Sequence, residues 1–198
     1  MNDVFNRTIQ WYEKNAEEYS RKTSNHLENA TLFTQNLKGK KILDVGCGPG
    51  YDTEMFSSMG YQATGVDLSR NFIKIAKQKF PKLKFIQGNF LLLPSSDDSF
   101  DGVWAQASLL HLKTIENVKN ALKEFNRVLK PDGVLYVRVK RQVGTKKTEI
   151  KKDGRFFRYF EKQELQNLFN ETGFSVISCE VCSWKKKRGL GISILGTK

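Results

Sequence analysis

Hydrophobic positions in this chain alternate between two periods. Short apolar runs at Lys41–Val45, 63–66, 83–87, Phe100–Gln106 and 134–139 read as strands. Between them, residues 51–59, 69–80 and 114–129 carry helical spacing, with Leu122, Phe125 and Leu129 on one face of the last. Gly60 stops the first of these helices, Ser69 is placed to cap the second, and Pro81 closes it. Residues 93–98 read as a loop and Pro131-Asp132-Gly133 as a turn. Upstream, residues 6–36 read as helix in two pieces, separated by the polar stretch Arg21-Lys22-Thr23-Ser24-Asn25, and residues 37–40 form a linker. Downstream, a basic insert at 140–158 breaks the rhythm. A helix at 161–172 follows, then two consecutive strands at 174–184 and 190–195 around the turn at 185–189.

Repeated strand-helix-strand order predicts an α/β fold of Rossmann-like type, with a mostly parallel seven-stranded sheet and helices on both faces. The closing pair of consecutive strands predicts an antiparallel addition at one edge. The whole is expected to be one domain. It divides into N-terminal helices (1–38), a cofactor-binding core (39–140), and a segment with the basic insert, a helix and two strands (141–198).

The chemistry concentrates where the first strand ends, at Asp44-Val45-Gly46-Cys47-Gly48-Pro49-Gly50. Glycine at every second position lets a backbone turn sharply and approach a ligand closely. Asp67, at the end of the second strand, suits an unphosphorylated ribose, whose two hydroxyls a carboxylate accepts. The spacing G-x-G-x-G differs from the dinucleotide fingerprint G-x-G-x-x-G. It is also led by an acid, which a pyrophosphate would avoid and a cationic amino-acid end would seek. Together these features point to S-adenosylmethionine, with its ammonium and sulfonium charges.

The motif order resembles that of class I S-adenosylmethionine-dependent methyltransferases, of the small single-domain type 11 kind. The resemblance runs from Trp11 to the end of the chain. Residues 11–19 resemble the N-terminal lid of that family, 42–50 its first motif and Val66-Asp67-Leu68-Ser69 its second. Gly88-Asn89-Phe90, Leu93-Pro94, Ser99-Phe100-Asp101 and the turn at 126–133 follow in the family's order. The resemblance implies that Asp44, Gly46, Cys47, Gly48 and Gly50 line the methionine moiety. Asp67 would hold the ribose, Leu68 would pack on the adenine, and Asn89 would face its amino group beside Phe90. Asn89 stands where an aspartate is commoner, and its amide oxygen still accepts a hydrogen bond. Gln106 would border the methionine end, and Tyr12 and Tyr19 would close over the cofactor.

Methyl transfer from an activated sulfonium needs alignment and water exclusion more than a catalytic triad. His111, just past the fourth strand, is the candidate general base, with His26 a weaker alternative. The acceptor stays open. A small molecule is the leading reading, because no recognition domain is appended. The alternatives are RNA, with transfer RNA foremost, and a noncatalytic cofactor-binding partner subunit.

The RNA alternative rests on charge. The net charge is +12, and residues 138–198 hold 15 Lys and Arg against 6 Asp and Glu. A nucleic acid would be met through basic residues 140–158 and 185–188, where cations interleave with Phe156, Phe157, Tyr159 and Phe160. The competing reading puts those aromatics in the core and the charges in water. The C-terminal residues also loosely resemble transfer-RNA wobble-uridine methyltransferases.

Cys179 and Cys182 fall on opposite faces of a predicted strand, so the three cysteines read as reduced thiols and no metal site is expected. Without a long apolar segment or a signal-peptide core, the expectation is a cytoplasmic monomer or homodimer with no membrane contact.

Overall fold

The computed structural model describes residues 3–183 and 189–198. Trp184 and the predicted basic turn at 185–188 lie outside the described residues.

A seven-stranded sheet forms the centre, in the order β3-β2-β1-β4-β5-β9-β8. Its strands are β1 (Lys41–Val45), β2 (Gln62–Asp67), β3 (Lys84–Gln87), β4 (Phe100–Gln106), β5 (Leu129–Lys140), β8 (Ser175–Ser183) and β9 (Leu190–Thr197). The pairs from β3 through β5 are parallel. The antiparallel addition is β9, which pairs antiparallel with both β5 and β8. Leu129, predicted as the end of a helix, instead pairs with Phe100, and the register shifts across Pro131-Asp132-Gly133 before Val134 meets Gly102.

Seven helices surround the sheet among the described residues: α1 (Asp3–Lys14), α2 (Ala16–Lys22), α3 (Leu27–Gln35), α4 (Tyr51–Ser58), α5 (Arg70–Lys79), α6 (Ile115–Val128) and α7 (Lys162–Glu171). The N-terminal region is therefore three helices where two were expected. The extra break falls at Asn15, where the Trp11 carbonyl accepts both from the Asn15 N–H at 3.0 Å and from its side-chain amide at 2.7 Å. Ser69 caps α5 as predicted, accepting from the Phe72 N–H at 3.1 Å.

The strands' period of two sorts the core onto two faces. Leu43, Val45, Val103, Leu135 and Val137 pack with α6 and α7 on one. Ile42, Trp104, Val134 and Tyr136 pack with α3 and α4 on the other. Trp104 is fully buried and stacked on Tyr136, with ring centroids 4.0 Å apart. Asp44 lies on this second face, a buried carboxylate at the end of β1.

The basic insert contains a small hairpin that the sequence pattern did not disclose, β6 (Thr148–Ile150) and β7 (Phe156–Arg158). Phe156, Phe157 and Phe160 are buried, which settles their side chains in the core. Several of the insert's cations are engaged locally. Glu149 pairs with Lys146 and Lys151 and accepts from the Tyr159 hydroxyl, and these bonds hold its carboxyl down to about 2. Arg155 pairs with Asp153 at 2.7 Å.

Two further sequence motifs are structural. Arg127 on α6 binds Glu124 and Asp97 and donates to the carbonyls of Leu93 and Ser95, which pins the 93–98 loop. Asp101 accepts from Lys130 and from the Lys41 N–H, which joins β4 to the start of β1.

Candidate cofactor site

The sheet order reverses between β1 and β4, and a crevice opens beyond the carboxyl ends of the strands at such a point. Here the crevice is a cavity of about 120 Å³, walled by the ends of β1, β2 and β4 and roofed by α1 and α2. The glycine turn supplies one wall. Gly46 and Gly48 have positive φ, at 73° and 53°, and the N–H groups of Gly46 and Cys47 bond back to the Val66 carbonyl. A side chain at Gly48 would meet nothing within 4 Å, so the turn leaves a cradle open at that point.

Carboxylates dominate the polar lining. Asp67 accepts from the N–H of Gly48 at 2.8 Å and of Ser69 at 2.8 Å. Burial nevertheless pushes its carboxyl up to about 6. Asp44 accepts from the Thr53 hydroxyl at 2.6 Å, and its carboxyl is raised well above the usual range by burial and then by the neighbouring Asp52. Asp52, on the first turn of α4, accepts from the His26 N–H at 2.7 Å, from His26 Nδ1 and from Trp104 Nε1 at 3.0 Å. Among the described residues, no lysine or arginine lines this cavity. Beside the acids, Gln106 Oε1 and Ser108 Oγ are buried without a hydrogen-bond partner. A cationic ligand with hydroxyl and amine donors answers each of these features.

Most residues singled out in the sequence meet at this cavity. Asp44, Gly46, Cys47 and Gly48 come from the turn, Asp67 and Leu68 from the end of β2. Phe90, Gln106, Tyr12, Tyr19 and His111 complete the set. Gly50 and Asn89 do not line it. A side chain at Gly50 would strike Phe85 at 2.7 Å, so this glycine serves packing under the turn. The Asn89 side-chain oxygen accepts from the Leu91 N–H at 2.9 Å. Sequence reasoning missed Asp52 and Ser108, and it weighed His26 only as a base.

Helix α1 is tied down over the cavity. Glu13 accepts from the N–H of Asn71 at 3.1 Å and of Arg70, at the N-terminus of α5. Thr8 accepts from the Phe156 N–H at 3.0 Å. The Phe156 carbonyl in turn lies 2.8 Å from His111 Nδ1, and Tyr12 Oη lies 3.0 Å from His111 Nε2. A carbonyl only accepts, so the imidazole is protonated at Nδ1 and takes the Tyr12 O–H at Nε2. Burial, with Arg155 and Lys140 nearby, brings the His111 pKa down to about 4. The ring is therefore neutral at physiological pH.

Comparison with known proteins agrees with this geometry. Residues 43–137 match the type 11 family model described as "Methyltransferase domain". The O-methyltransferase rstn1 of Aspergillus nomiae is 30% identical over 72% of this chain and 67% of its own length. The chain belongs to the class I S-adenosylmethionine-dependent methyltransferases, in the type 11 family. A demethylmenaquinone methyltransferase of Renibacterium salmoninarum is 35% identical over 51% of this chain, a stretch that spans 41% of that relative. The crystal structure of Burkholderia thailandensis 1,6-didemethyltoxoflavin-N1-methyltransferase superposes with a TM-score of 0.80. It is 20% identical and covers 98% of this chain and 87% of its own, a likeness of fold.

Among the described residues no methyltransferase helix is long and apolar enough to cross a membrane, and Cys47, Cys179 and Cys182 are free thiols.

Proposed function

We propose that this protein is a methyltransferase that binds S-adenosylmethionine in the β1/β2/β4 cavity and methylates a small-molecule acceptor. The observation that carries this reading is the cavity's set of hydrogen-bond acceptors. Among the described residues, Asp44, Asp52 and Asp67 surround it without a lysine or arginine, beside the unpartnered Gln106 Oε1 and Ser108 Oγ. Asp67 holds the ribose hydroxyls in this reading. Asp44, Gln106 and Ser108 face the methionine end, and Leu68 and Phe90 offer apolar contact to the base. When bound, the cofactor supplies a methyl group already activated on a sulfonium. The chain's own residues align the reactants and exclude water, with Tyr12 and Tyr19 as the roof.

A small acceptor is favoured over RNA by the basic insert itself. Lys146, Lys151 and Arg155 are held by Glu149 and Asp153, and the insert's phenylalanines are buried. Among the described residues of the insert, that leaves no run of exposed aromatics to stack bases. The test is calorimetry with S-adenosylmethionine, then incubation of fractionated cell extract with cofactor labelled on its methyl group. Binding followed by label in small molecules is expected. Label confined to RNA would replace the acceptor class, and binding without any transfer would leave a noncatalytic subunit.

A further inference from the structure

Between Arg70 and Lys84 the chain holds six Lys and Arg and no Asp or Glu. All six cations are exposed. On α5, Phe72, Ile73, Ile75 and Ala76 turn into the core. Arg70, Lys74 and Lys77 are left on one outward stripe, at i, i+4 and i+7. Lys82 follows in the turn after the helix, and Lys84 opens β3, the edge strand of the sheet. The cations thus run along a helix about 15 Å long and around the sheet edge behind it.

This charge is not neutralised within the protein. Among the described residues, no carboxylate lies within ion-pair distance of any of the six. Lys79 rests over the Tyr51 ring and donates to its hydroxyl. Glu13 reaches the N-terminus of α5, but its carboxylate accepts from the N–H groups of Arg70 and Asn71. The basic insert differs, since Lys146, Lys151 and Arg155 are paired there with Glu149 and Asp153. Uncompensated charge therefore gathers at the α5–β3 edge more than in the insert.

The residue types indicate what this edge meets. Five of the six cations are Lys, a compact and strongly hydrated charge. Phosphate forks and base stacking call for Arg and exposed aromatics instead, and the cores of protein interfaces are depleted in Lys. Hydrated Lys suits a diffuse plane of negative charge that need not be stripped of water. The turn after β3 adds Leu92, which is 77% exposed, more than any other large hydrophobic of the described residues. A basic cluster beside a projecting apolar side chain supplies the two signals of adsorption to an acidic bilayer surface.

We propose that the α5–β3 edge is a docking surface for a membrane containing acidic lipids. Arg70, Lys74, Lys77, Lys82 and Lys84 present their charge to the headgroups, and Leu92 enters the interface. Such adsorption asks for no membrane-crossing helix, and none is found among the described residues. The proposal stands apart from the methyltransferase reading.

The experiment is cosedimentation of the full chain with vesicles of phosphatidylcholine alone or with about 30% phosphatidylserine. The acidic vesicles should bind at least about tenfold more tightly, and raising salt from about 0.1 M to about 0.5 M should remove most of that gain. Lys74→Glu combined with Lys82→Glu should weaken binding to the acidic vesicles by about tenfold. Lys147→Glu combined with Lys152→Glu makes the same charge change on the insert and should stay within about threefold of the unmodified protein. Leu92→Ser should lose about threefold to tenfold. Circular dichroism checks each variant, and Lys74→Gln with Lys82→Gln reads the same face if the glutamate pair fails to fold. Equal binding to the two kinds of vesicle, or equal losses in the two charge-reversed pairs, would overturn the proposal. Tighter binding to duplex RNA than to the acidic vesicles at the same salt, with Leu92→Ser indifferent, would overturn it in favour of a nucleic-acid surface.

Discussion

Tyr12 and His111 are joined across the roof and floor of the cavity, the hydroxyl 3.0 Å from Nε2. They stand 99 residues apart in the chain, so closing α1 over the site and fixing the histidine tautomer are one event. With Nδ1 bonded to the Phe156 carbonyl, both ring nitrogens are committed. In this closed form His111 is a positioning residue for Tyr12, and it can take a proton from an acceptor only if Tyr12 moves away.

That arrangement makes stability depend on pH in a defined direction. The folded-state pKa of His111 is about 4 against 6.5 for an unhindered imidazole. Its contribution is therefore complete above the unfolded value and is lost as pH falls from about 6.5 towards 4, because the unfolded chain takes up the proton first. Comparing urea unfolding of the protein and of His111→Gln at pH 7.5 and pH 5 isolates this effect. The stability gap between them should shrink on acidification by on the order of 1–2 kcal/mol. A gap that is constant or widens would show that the imidazole is not held neutral.

Asp67 titrates with the opposite sign. Its carboxyl is raised to about 6, so the ligand-free protein gains stability from it on acidification and loses that gain as pH rises through 6. Ligand binding runs the other way, because a protonated carboxyl no longer accepts two hydroxyls through two oxygens. S-adenosylmethionine affinity should fall between pH 7.5 and 5. Calorimetry at pH 6 in buffers of different ionisation enthalpy should show proton release on binding. Asp67→Ala should weaken binding about tenfold to hundredfold, or about 1.5–3 kcal/mol. Unchanged affinity in that variant would remove Asp67 from the ribose.

Asp52 carries a structural load that its position as a first-turn helix acid does not suggest. It satisfies the His26 N–H, the His26 ring and the Trp104 indole together, and it joins the loop before α3 to the core of the sheet. Asp52→Ala leaves those donors without their acceptor in a buried setting. Denaturant unfolding should show a loss of about 2–4 kcal/mol. Asp52→Asn keeps one acceptor oxygen and should lose less. Equal stability of Asp52→Ala and the unmodified protein would show that water replaces the carboxylate.

The parts of this molecule legible from sequence are those where local chemistry and tertiary role coincide. The bounds of β1 and β4 were readable because central parallel strands are apolar runs with sharp ends, and the glycine turn because its backbone demands are local. The β6–β7 hairpin was not, since three-residue strands reading Thr-Glu-Ile and Phe-Phe-Arg are too short to carry a usable period. Asp52, His26 and Ser108 were missed or underweighted for a different reason. Asp52 and His26 owe their roles to partners far away in the chain, and Ser108 to the cavity that it lines; an acid after a helix-initiating glycine also has an adequate local explanation in the helix dipole. Gly50 shows the converse situation. It belongs to the motif in sequence, but its surroundings in space are Phe85 and Ala76.

Gly48 and Gly50 therefore offer a matched pair of substitutions with contrasting outcomes. Both have positive φ, 53° and 87°, so alanine at either adds backbone strain of roughly 1–2 kcal/mol. At Gly48 the new methyl meets nothing within 4 Å, and the strain is the whole structural cost. At Gly50 it would lie 2.7 Å from the Phe85 ring and 3.1 Å from Ala76, which adds an overpacking cost of about 1–3 kcal/mol. Gly50→Ala should consequently be the less stable variant. If the space beside Gly48 is where the methionine end lies, Gly48→Ala should lose at least about tenfold in S-adenosylmethionine affinity while melting close to the unmodified protein. Calorimetry on the folded variants, read beside their melting curves, separates the two effects. Full affinity in Gly48→Ala would move the cofactor away from the turn, whatever the fate of Gly50→Ala.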